Sequence, residues 1–139
     1  MSKLPNVGTT IFTTMSKLAH EHGAINLAQG FPNFPVDSQL IQIVQEQVQN
    51  DIHQYMPMNG SSVLLSQVAQ LISETYNRKI EVNSETLITA GATQGIFTSI
   101  LALVKNGEEV VILDPSYDCY EPAVLLAGGI PVRIPLNNV

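Results

Sequence analysis

The fold is decided by residues 87–97, which read Leu87-Ile88-Thr89-Ala90-Gly91-Ala92-Thr93-Gln94-Gly95-Ile96-Phe97. An apolar, β-branched run comes first, and a turn of small residues follows it. Beyond the turn, the apolar residues Ile96, Phe97, Ile100, Leu101 and Val104 recur at helical spacing. The pattern predicts a strand over residues 86–90, a glycine turn, and a helix over residues 93–105.

The residues that follow continue the same alternation. The run from Val110 to Asp114 contains no alternation of polar and apolar residues, so both of its faces are expected to be covered, as in a parallel sheet. A helix over residues 120–127 and a strand over residues 130–134 complete a βαβαβ pattern. The predicted fold class is therefore α/β, with a helical arm followed by the first part of a mostly parallel sheet that has helices on both faces.

The residues before position 84 have a different character. They predict a helix over residues 9–20, an irregular loop around Gly30, and a helix capped by Asp37. A second irregular segment at residues 54–60 precedes a helix that begins at Ser61 or Ser62, with Leu64, Val68, Ile72 and Tyr76 on one face. Three parts are expected: an arm with its loop (1–35), a helical segment (36–84), and the beginning of the sheet domain (85–139).

The composition limits the class of partner. Only 13% of the residues are charged and the mean hydropathy is +0.16, which indicates faces that more protein covers. The net charge of −6 and the six scattered Lys and Arg residues argue against a nucleic-acid partner. No secretory signal opens the chain, its single cysteine cannot form an internal disulfide, and its longest apolar stretch is too short to cross a membrane. A cytoplasmic protein without a membrane partner is expected.

The glycine turn has the chemistry of an anion site. A helix that begins there directs its free N–H groups and the positive end of its dipole toward the turn. Gly91 and Ala92 would let an anion approach closely, and Thr93 adds a hydroxyl group, so phosphate is the natural ligand. The alternative is an ordinary turn in which Thr93 caps the helix.

A phosphate at this turn could belong to a dinucleotide or to a planar cofactor. The dinucleotide fingerprint requires G-x-G-x-x-G and a later acidic residue, but Thr93 occupies the position of the second glycine, while Asp114 is suitably placed. Tyr117 follows the strand that ends at Asp114, so it would lie at the sheet edge where ligands bind and could stack on a planar ring. The alternative for Tyr117 is packing in the core.

Taken together, the motifs resemble those of class I pyridoxal-phosphate aminotransferases of fold type I, and most of all bacterial methionine aminotransferases and the kynurenine/glutamine transaminases. The resemblance covers nearly the whole chain, but only the N-terminal portion of such an enzyme. It rests on several segments in the family's order: Ser2 to Pro5, Gly8 to Phe12, Ile25 to Pro32, Gln54-Tyr55, Thr89 to Thr93, and Asp114 to Tyr117.

The resemblance implies roles for individual residues. Gly30 and Phe31 correspond to residues that contact the amino-acid substrate, and Tyr55 to a tyrosine that reaches the partner's cofactor phosphate across a homodimer. The turn Gly91-Ala92-Thr93 corresponds to the phosphate-binding backbone, and Tyr117 to the ring that stacks on the pyridine. The implied cofactor is pyridoxal 5'-phosphate, and the implied substrates are methionine or a similar amino acid and a 2-oxo acid.

The resemblance also implies that the catalytic residues lie outside this chain. Lys3, Lys17, Lys79 and Lys105 do not match the Ser-x-x-Lys pattern of the family, so no catalytic residue is assigned, and the 139 residues alone are expected to be inactive. His20 and His22 would point to different sides of a helix, so no metal site is expected. A nucleotide-binding domain, a non-catalytic interaction module, and a lyase on the same fold remain alternatives.

Overall fold

The structure, a computed structural model, describes residues 2–50 and 54–137. Its elements in chain order are α1 (Ile11–Glu21), α2 (Ser38–Gln49), α3 (Ser62–Tyr76), α4 (Val82–Glu85), α5 (Ala92–Leu103), β1 (Glu109–Asp114), α6 (Tyr120–Leu126) and β2 (Ile130–Pro135). Helices combined with a parallel sheet confirm the predicted α/β class. The chain divides into two compact units, which we name the sheet unit (Met1–Ala28 with Thr89–Val139) and the helical unit (Gln29–Ile88).

The sheet unit is built around two parallel strands. Glu109 of β1 lies opposite Ile130 of β2, and the register continues to Asp114 opposite Pro135. Helix α6 connects the strands and packs on both, and α5 packs against α6. Three apolar side chains are buried here among the described residues: Ile112, Ala123 and Val124. Ala123 and Val124 are the buried residues of α6, so this part of the helix packs against the sheet.

A short connection reverses the chain between α5 and β1. The Glu108 amide donates to the carbonyl of Lys105 (3.1 Å), and the Gly107 amide donates to the carbonyl of Gly128 (2.8 Å). The Lys105 amide donates to the Glu108 carboxylate (2.8 Å). Ile100 of α5 lines one cavity together with residues 110–113 of β1 and with Ser116 beyond the strand. We infer that α5 runs back beside β1, so that its beginning lies toward the end of the sheet unit at which β1 ends.

The strand predicted over residues 86–90 is not formed, so this prediction is wrong. Thr86 has extended backbone angles (φ −128°, ψ 142°), and the Ile88 amide donates to the Asn59 carbonyl (3.0 Å). A β-branched run favours extended backbone, but a strand also requires a neighbouring strand to bond along its length. The two described strands pair with each other instead. The predicted βαβαβ pattern is therefore observed as a βαβ unit preceded by α5.

The helical unit contains α2, α3 and α4. Asp37 caps α2 as predicted, because its Oδ1 atom accepts from the Gln39 amide at 2.8 Å. The buried face of α3 differs from the predicted one: Leu65 and Ala69 are buried, whereas Tyr76 is 73% exposed. The spacing fixed the helical period but not the orientation of the helix, so the buried face is centred one residue later than predicted.

The arm that begins the sheet unit folds back on α1. Thr10 caps this helix by accepting from the Thr13 amide (3.3 Å). After the helix, the Ala24 amide donates to the Ala19 carbonyl (2.8 Å), and Asn26 Nδ2 donates to Ser16 Oγ (3.0 Å). Within the described ranges, no helix is long and apolar enough to cross a membrane.

Candidate active site

The Gly91 turn, which we define as residues 89–95, is held by its own side chains. Gly91 has φ +87°, a conformation that side-chain-bearing residues rarely adopt, and no heavy atom beyond Gly91 and its two chain neighbours lies within 4 Å of the position a Cβ would take. Thr89 Oγ1 donates to the Gly91 carbonyl (3.0 Å), and the Ala90 amide donates to Gln94 Oε1. The turn is therefore ordered by local bonds and has open space on the Cα side of Gly91.

Helix α5 begins directly after Gly91, and its first amides remain available. The first amide that bonds back is that of Gly95, which donates to the Gly91 carbonyl at 3.4 Å. The amides of Ala92, Thr93 and Gln94 precede it and have no partner within the helix. Thr93 lies inside the helix and does not cap it; Gly91 occupies the cap position without a side-chain bond. The capping role considered for Thr93 is therefore wrong, and the turn presents three amides together with the positive end of the helix dipole.

The Tyr117 loop, residues 115–119, joins the end of β1 to the beginning of α6. Tyr117 is 49% exposed, and its ring meets the Tyr120 ring edge to face, with 6.0 Å between centroids and 70° between planes. The Tyr120 amide donates to the Tyr117 carbonyl at 3.3 Å. Tyr117 is therefore not a core residue, because about half of its surface is accessible.

A cavity of about 140 Å³ lies beside this loop. It is lined by Ile112, Asp114, Pro115, Ser116, Tyr117, Asp118, Glu121 and Arg133, and by no residue of the Gly91 turn. Arg133 of β2 contacts two carboxylates there: its Nη1 atom lies 3.5 Å from Asp114 Oδ2, and its Nη2 atom donates to Glu121 Oε2. The cavity lining therefore combines several charged side chains with one aromatic ring.

Two groups near the loop have shifted pKa values. The hydrogen bond and the charge of Glu121 raise the pKa of Arg133, with a smaller contribution from Asp114. Burial raises the pKa of the Cys119 thiol, and the charge of Asp118 raises it further. Both effects favour the neutral thiol of Cys119, which is the opposite of what activates a cysteine nucleophile. The described part of the chain holds no group of three or more His, Cys, Asp or Glu side chains that could bind a metal ion.

The structure places the predicted site residues in both units. Gly91, Ala92, Thr93 and Tyr117 belong to the sheet unit. Gly30, Phe31 and Tyr55 belong to the helical unit. There the Phe31 amide donates to the Gln29 carbonyl (3.2 Å), the Phe31 side chain is 66% exposed, and Tyr55 is fully exposed.

The structure adds residues that the sequence did not single out. Thr89 and Gln94 hold the Gly91 turn through hydrogen bonds to Gly91 and Ala90. Because each bond joins residues only two or four positions apart, the sequence could have indicated both. Arg133 and Glu121 support the Tyr117 loop, but they lie 12 residues apart in the sequence. Nothing in the linear pattern indicated that these two residues meet.

Comparison with known proteins identifies the family. The profile of the family described as aminotransferase class I and II matches residues 22–139. The chain is 47% identical over 136 residues to the methionine aminotransferase of Escherichia coli, covering 98% of this chain and 35% of that protein. It is 38% identical over 123 residues to human kynurenine–oxoglutarate transaminase 1, covering 87% of this chain and 29% of that protein.

A solved structure agrees with these relatives. The crystal structure of YbdL from Escherichia coli, described as having a methionine aminotransferase function, superposes with a TM-score of 0.92 at 46% identity. The superposition covers 99% of this chain and 36% of YbdL, so the chain spans about a third of the length of the relatives it matches. The dinucleotide alternative gains no support from these matches. The resemblance noted in the sequence is confirmed, and the chain belongs to the class I and II aminotransferase family.

Proposed function

We propose that the protein carrying this chain is a pyridoxal-phosphate-dependent aminotransferase, and that the 139 residues correspond to the first third of it. It would move the amino group of methionine, or of a similar amino acid, to a 2-oxo acid. The observation that carries this proposal is the 47% identity to a methionine aminotransferase over 98% of the chain. That aligned length contains both the Gly91 turn and the Tyr117 loop.

The residues at the end of the sheet unit fit such a cofactor. Members of the family generally use pyridoxal phosphate. The free amides of Ala92 and Thr93 would bind the phosphate, and the open space at Gly91 allows a close approach of that group. The half-exposed side chain of Tyr117 would stack on the pyridine ring. When bound, the cofactor supplies an electron sink that makes the substrate Cα–H bond acidic.

The chain's own residues bind and orient and do not move protons. No lysine of the chain belongs to the Gly91 turn or to the Tyr117 loop, and Lys105 lies in the connection at the opposite end of the sheet unit. We assign Gly30 and Phe31 to substrate contact, and Tyr55 to the cofactor phosphate of the partner subunit in a homodimer. The parts 1–35, 36–84 and 85–139 then correspond to the arm with the substrate loop, the helical segment with the dimer-contact loop, and the beginning of the cofactor-binding domain.

We also propose that the complete protein is a homodimer and that it is located in the cytoplasm. Helix α2 presents Leu40, Ile41 and Val44 with 45–53% of their surface exposed, and Tyr55 is fully exposed. Apolar groups in this number favour coverage by another surface. Sedimentation of the complete protein at micromolar concentration tests the dimer, and a monomer under these conditions would contradict it.

Cofactor binding is tested with variants of Tyr117. The complete protein should retain pyridoxal phosphate, detected by its visible absorption and by induced circular dichroism. Tyr117→Ala should weaken cofactor affinity about two- to tenfold, because aromatic stacking contributes roughly 0.5–1.5 kcal/mol, whereas Tyr117→Phe keeps the ring and should change the affinity little. Tyr76→Ala removes a tyrosine that is 73% exposed in the helical unit and serves as the matched control.

The reaction is tested by coupling methionine to a 2-oxo acid and measuring the new oxo acid. The complete protein should turn over, whereas the 139 residues alone should not, because they lack the catalytic lysine. Sustained turnover by the 139 residues would contradict the assigned roles. A titration with NAD(H) tests the dinucleotide alternative, and tight nucleotide binding that Asp114→Ala abolishes would overturn the proposal.

A further inference from the structure

The residues that flank the Tyr117 loop on either side form ion pairs with one side chain, that of Arg133. Asp114, the last residue of β1, precedes the loop, and Glu121, in the first turn of α6, follows it. Arg133 of the neighbouring strand contacts both carboxylates. A planar guanidinium group can bond two carboxylates at once, which a lysine ammonium does less well.

The position of Arg133 is fixed by the sheet. It stands on β2 opposite Ile112, and Ile112 is buried. Near the carboxyl end of the pair, the Leu136 amide donates to the Asp114 carbonyl at 2.8 Å. The guanidinium group therefore starts from a hydrogen-bonded strand rather than from a loop, and the two carboxylates that it contacts flank the Tyr117 loop on either side.

The loop itself has few internal restraints. The Tyr120 amide donates to the Tyr117 carbonyl, and the two rings meet edge to face. These contacts restrain the second half of the loop only. Arg133 lines the same cavity as Ser116 and Tyr117, and it connects the two ends of the loop across that cavity.

We propose that Arg133 is a positioning residue of the cofactor site, which holds Asp114 and Glu121 together and thereby fixes the orientation of the Tyr117 ring. The inference rests on the proposed function, because Tyr117 needs a fixed orientation only if a planar ring stacks on it. The two ion pairs also account for the raised pKa of Arg133. Arg133 does not touch the cofactor in this assignment; it acts through Tyr117.

The experiment uses the complete protein with pyridoxal phosphate. Arg133→Met keeps the length of the side chain and removes both ion pairs, and Arg133→Lys restores the charge without the planar fork. Arg133 is 57% exposed at its side chain, so both variants are expected to fold. Lys17→Met is the matched control, because it removes another exposed ion pair of the sheet unit, Lys17 with Glu21 at 3.7 Å.

Two measurements are made on each variant. In Arg133→Met, the dissociation constant for pyridoxal phosphate should rise about fivefold and the induced circular dichroism of the cofactor should fall, with partial recovery in Arg133→Lys. Hydrogen exchange of residues 115–121 in the cofactor-free protein should accelerate in Arg133→Met. Neither measurement should change in Lys17→Met.

Each outcome decides the proposal. Faster exchange together with weaker cofactor binding supports it, whereas unchanged cofactor binding and dichroism in Arg133→Met overturn it, whatever the exchange rate. If the unmodified protein does not bind pyridoxal phosphate, the proposed function fails, and the exchange measurement then decides whether Arg133 orders the loop. Glu121→Gln provides a second variant, and its effect should not add to that of Arg133→Met.

Discussion

The Gly91 turn and the Tyr117 loop both lead into a helix at the same end of the sheet unit, but different contacts hold them. The Gly91 turn is held by bonds between residues two to four positions apart, from Thr89 to Gly91 and from Ala90 to Gln94. The Tyr117 loop is held by Arg133, which lies 12 residues from Glu121 and on another strand. The Gly91 turn is therefore ordered by contacts within its own segment, whereas the Tyr117 loop is ordered by a residue of the neighbouring strand.

Because the contacts differ, substitutions in the two features should have different effects. A change within the Gly91 turn should affect the anion site and should leave the order of the Tyr117 loop unchanged. A change in the packing of α6 or β2 should affect the Tyr117 loop together with overall stability, because the same residues provide both.

The largest effect is expected for Gly91→Ala. Its φ of +87° is unfavourable for a side-chain-bearing residue, which costs about 1–3 kcal/mol of stability, and relief of this strain would turn the amides of Ala92 and Thr93 away. Cofactor affinity should fall about tenfold or more, since two charge-assisted hydrogen bonds are weakened. Thermal unfolding and cofactor titration measure the two effects.

Gly107→Ala is the matched control for this change. Gly107 has φ +83° and also has no heavy atom within 4 Å of a Cβ position, but it lies in the connection at the other end of the unit. The two variants should therefore lose similar stability, and only Gly91→Ala should lose affinity. Equal losses of affinity would show that the Gly91 turn is not a separate local feature.

A smaller effect is expected for Val124→Ala in α6. Val124 is fully buried, and removal of two carbon atoms should cost about 1.6 kcal/mol from the loss of burial alone. Because α6 begins directly after the Tyr117 loop, hydrogen exchange of residues 115–119 should accelerate, while that of residues 90–95 should not. Chemical denaturation measures the stability. Val63→Ala, at a helical position that is 72% exposed, should change stability by less than about 0.5 kcal/mol.

A still smaller loss of stability is expected for Gln94→Met, which tests the local hydrogen bonds of the Gly91 turn. Methionine has a similar length and helix propensity but offers no acceptor for the Ala90 amide. The loss should be about 0.5–1 kcal/mol, because the groups are exposed and water replaces the bond. Gln70→Met removes a side-chain bond to Glu74 on α3 and should cost only about 0.2–0.5 kcal/mol. A larger loss in Gln70→Met than in Gln94→Met would contradict the role of Gln94.

The same contrast explains which features the sequence predicted. The Gly91 turn and helix α5 were predicted because the glycine, the small residues and the apolar spacing all act within a few positions. The cap at Asp37 was predicted for the same reason, since Asp37 and the Gln39 amide are two residues apart. Local signals of this kind fix where an element begins and which chemistry its end offers.

The features that the sequence did not predict depend on distant partners. Residues 86–90 have strand-like composition, but whether they form a strand depends on a neighbour that their own sequence does not specify. The spacing in α3 fixed a helical face but not its orientation, so Leu65 and Ala69 were missed as buried residues. Arg133 was missed because its two carboxylates meet it only after β1, α6 and β2 have packed.

The smallest effect concerns the thiol of Cys119, which reports whether the Tyr117 loop stays packed. Burial and the charge of Asp118 raise its pKa above the ordinary value of 9.0, so a smaller fraction of thiolate is present at any pH below that value. Alkylation by iodoacetamide, followed at Cys119 by peptide mapping from pH 7 to pH 10, should be slower in the folded protein than in guanidinium, with a midpoint shifted to higher pH. The raised pKa also means that this group's contribution to stability is present below pH 9.0 and is lost as the pH rises through the folded-state value.

Since Arg133 holds both ends of the loop, Arg133→Met should move the midpoint of Cys119 alkylation back toward the unfolded value, whereas Gly91→Ala should leave this midpoint unchanged. A midpoint that responds to Gly91→Ala and not to Arg133→Met would mean that the turn, and not the sheet, orders the loop.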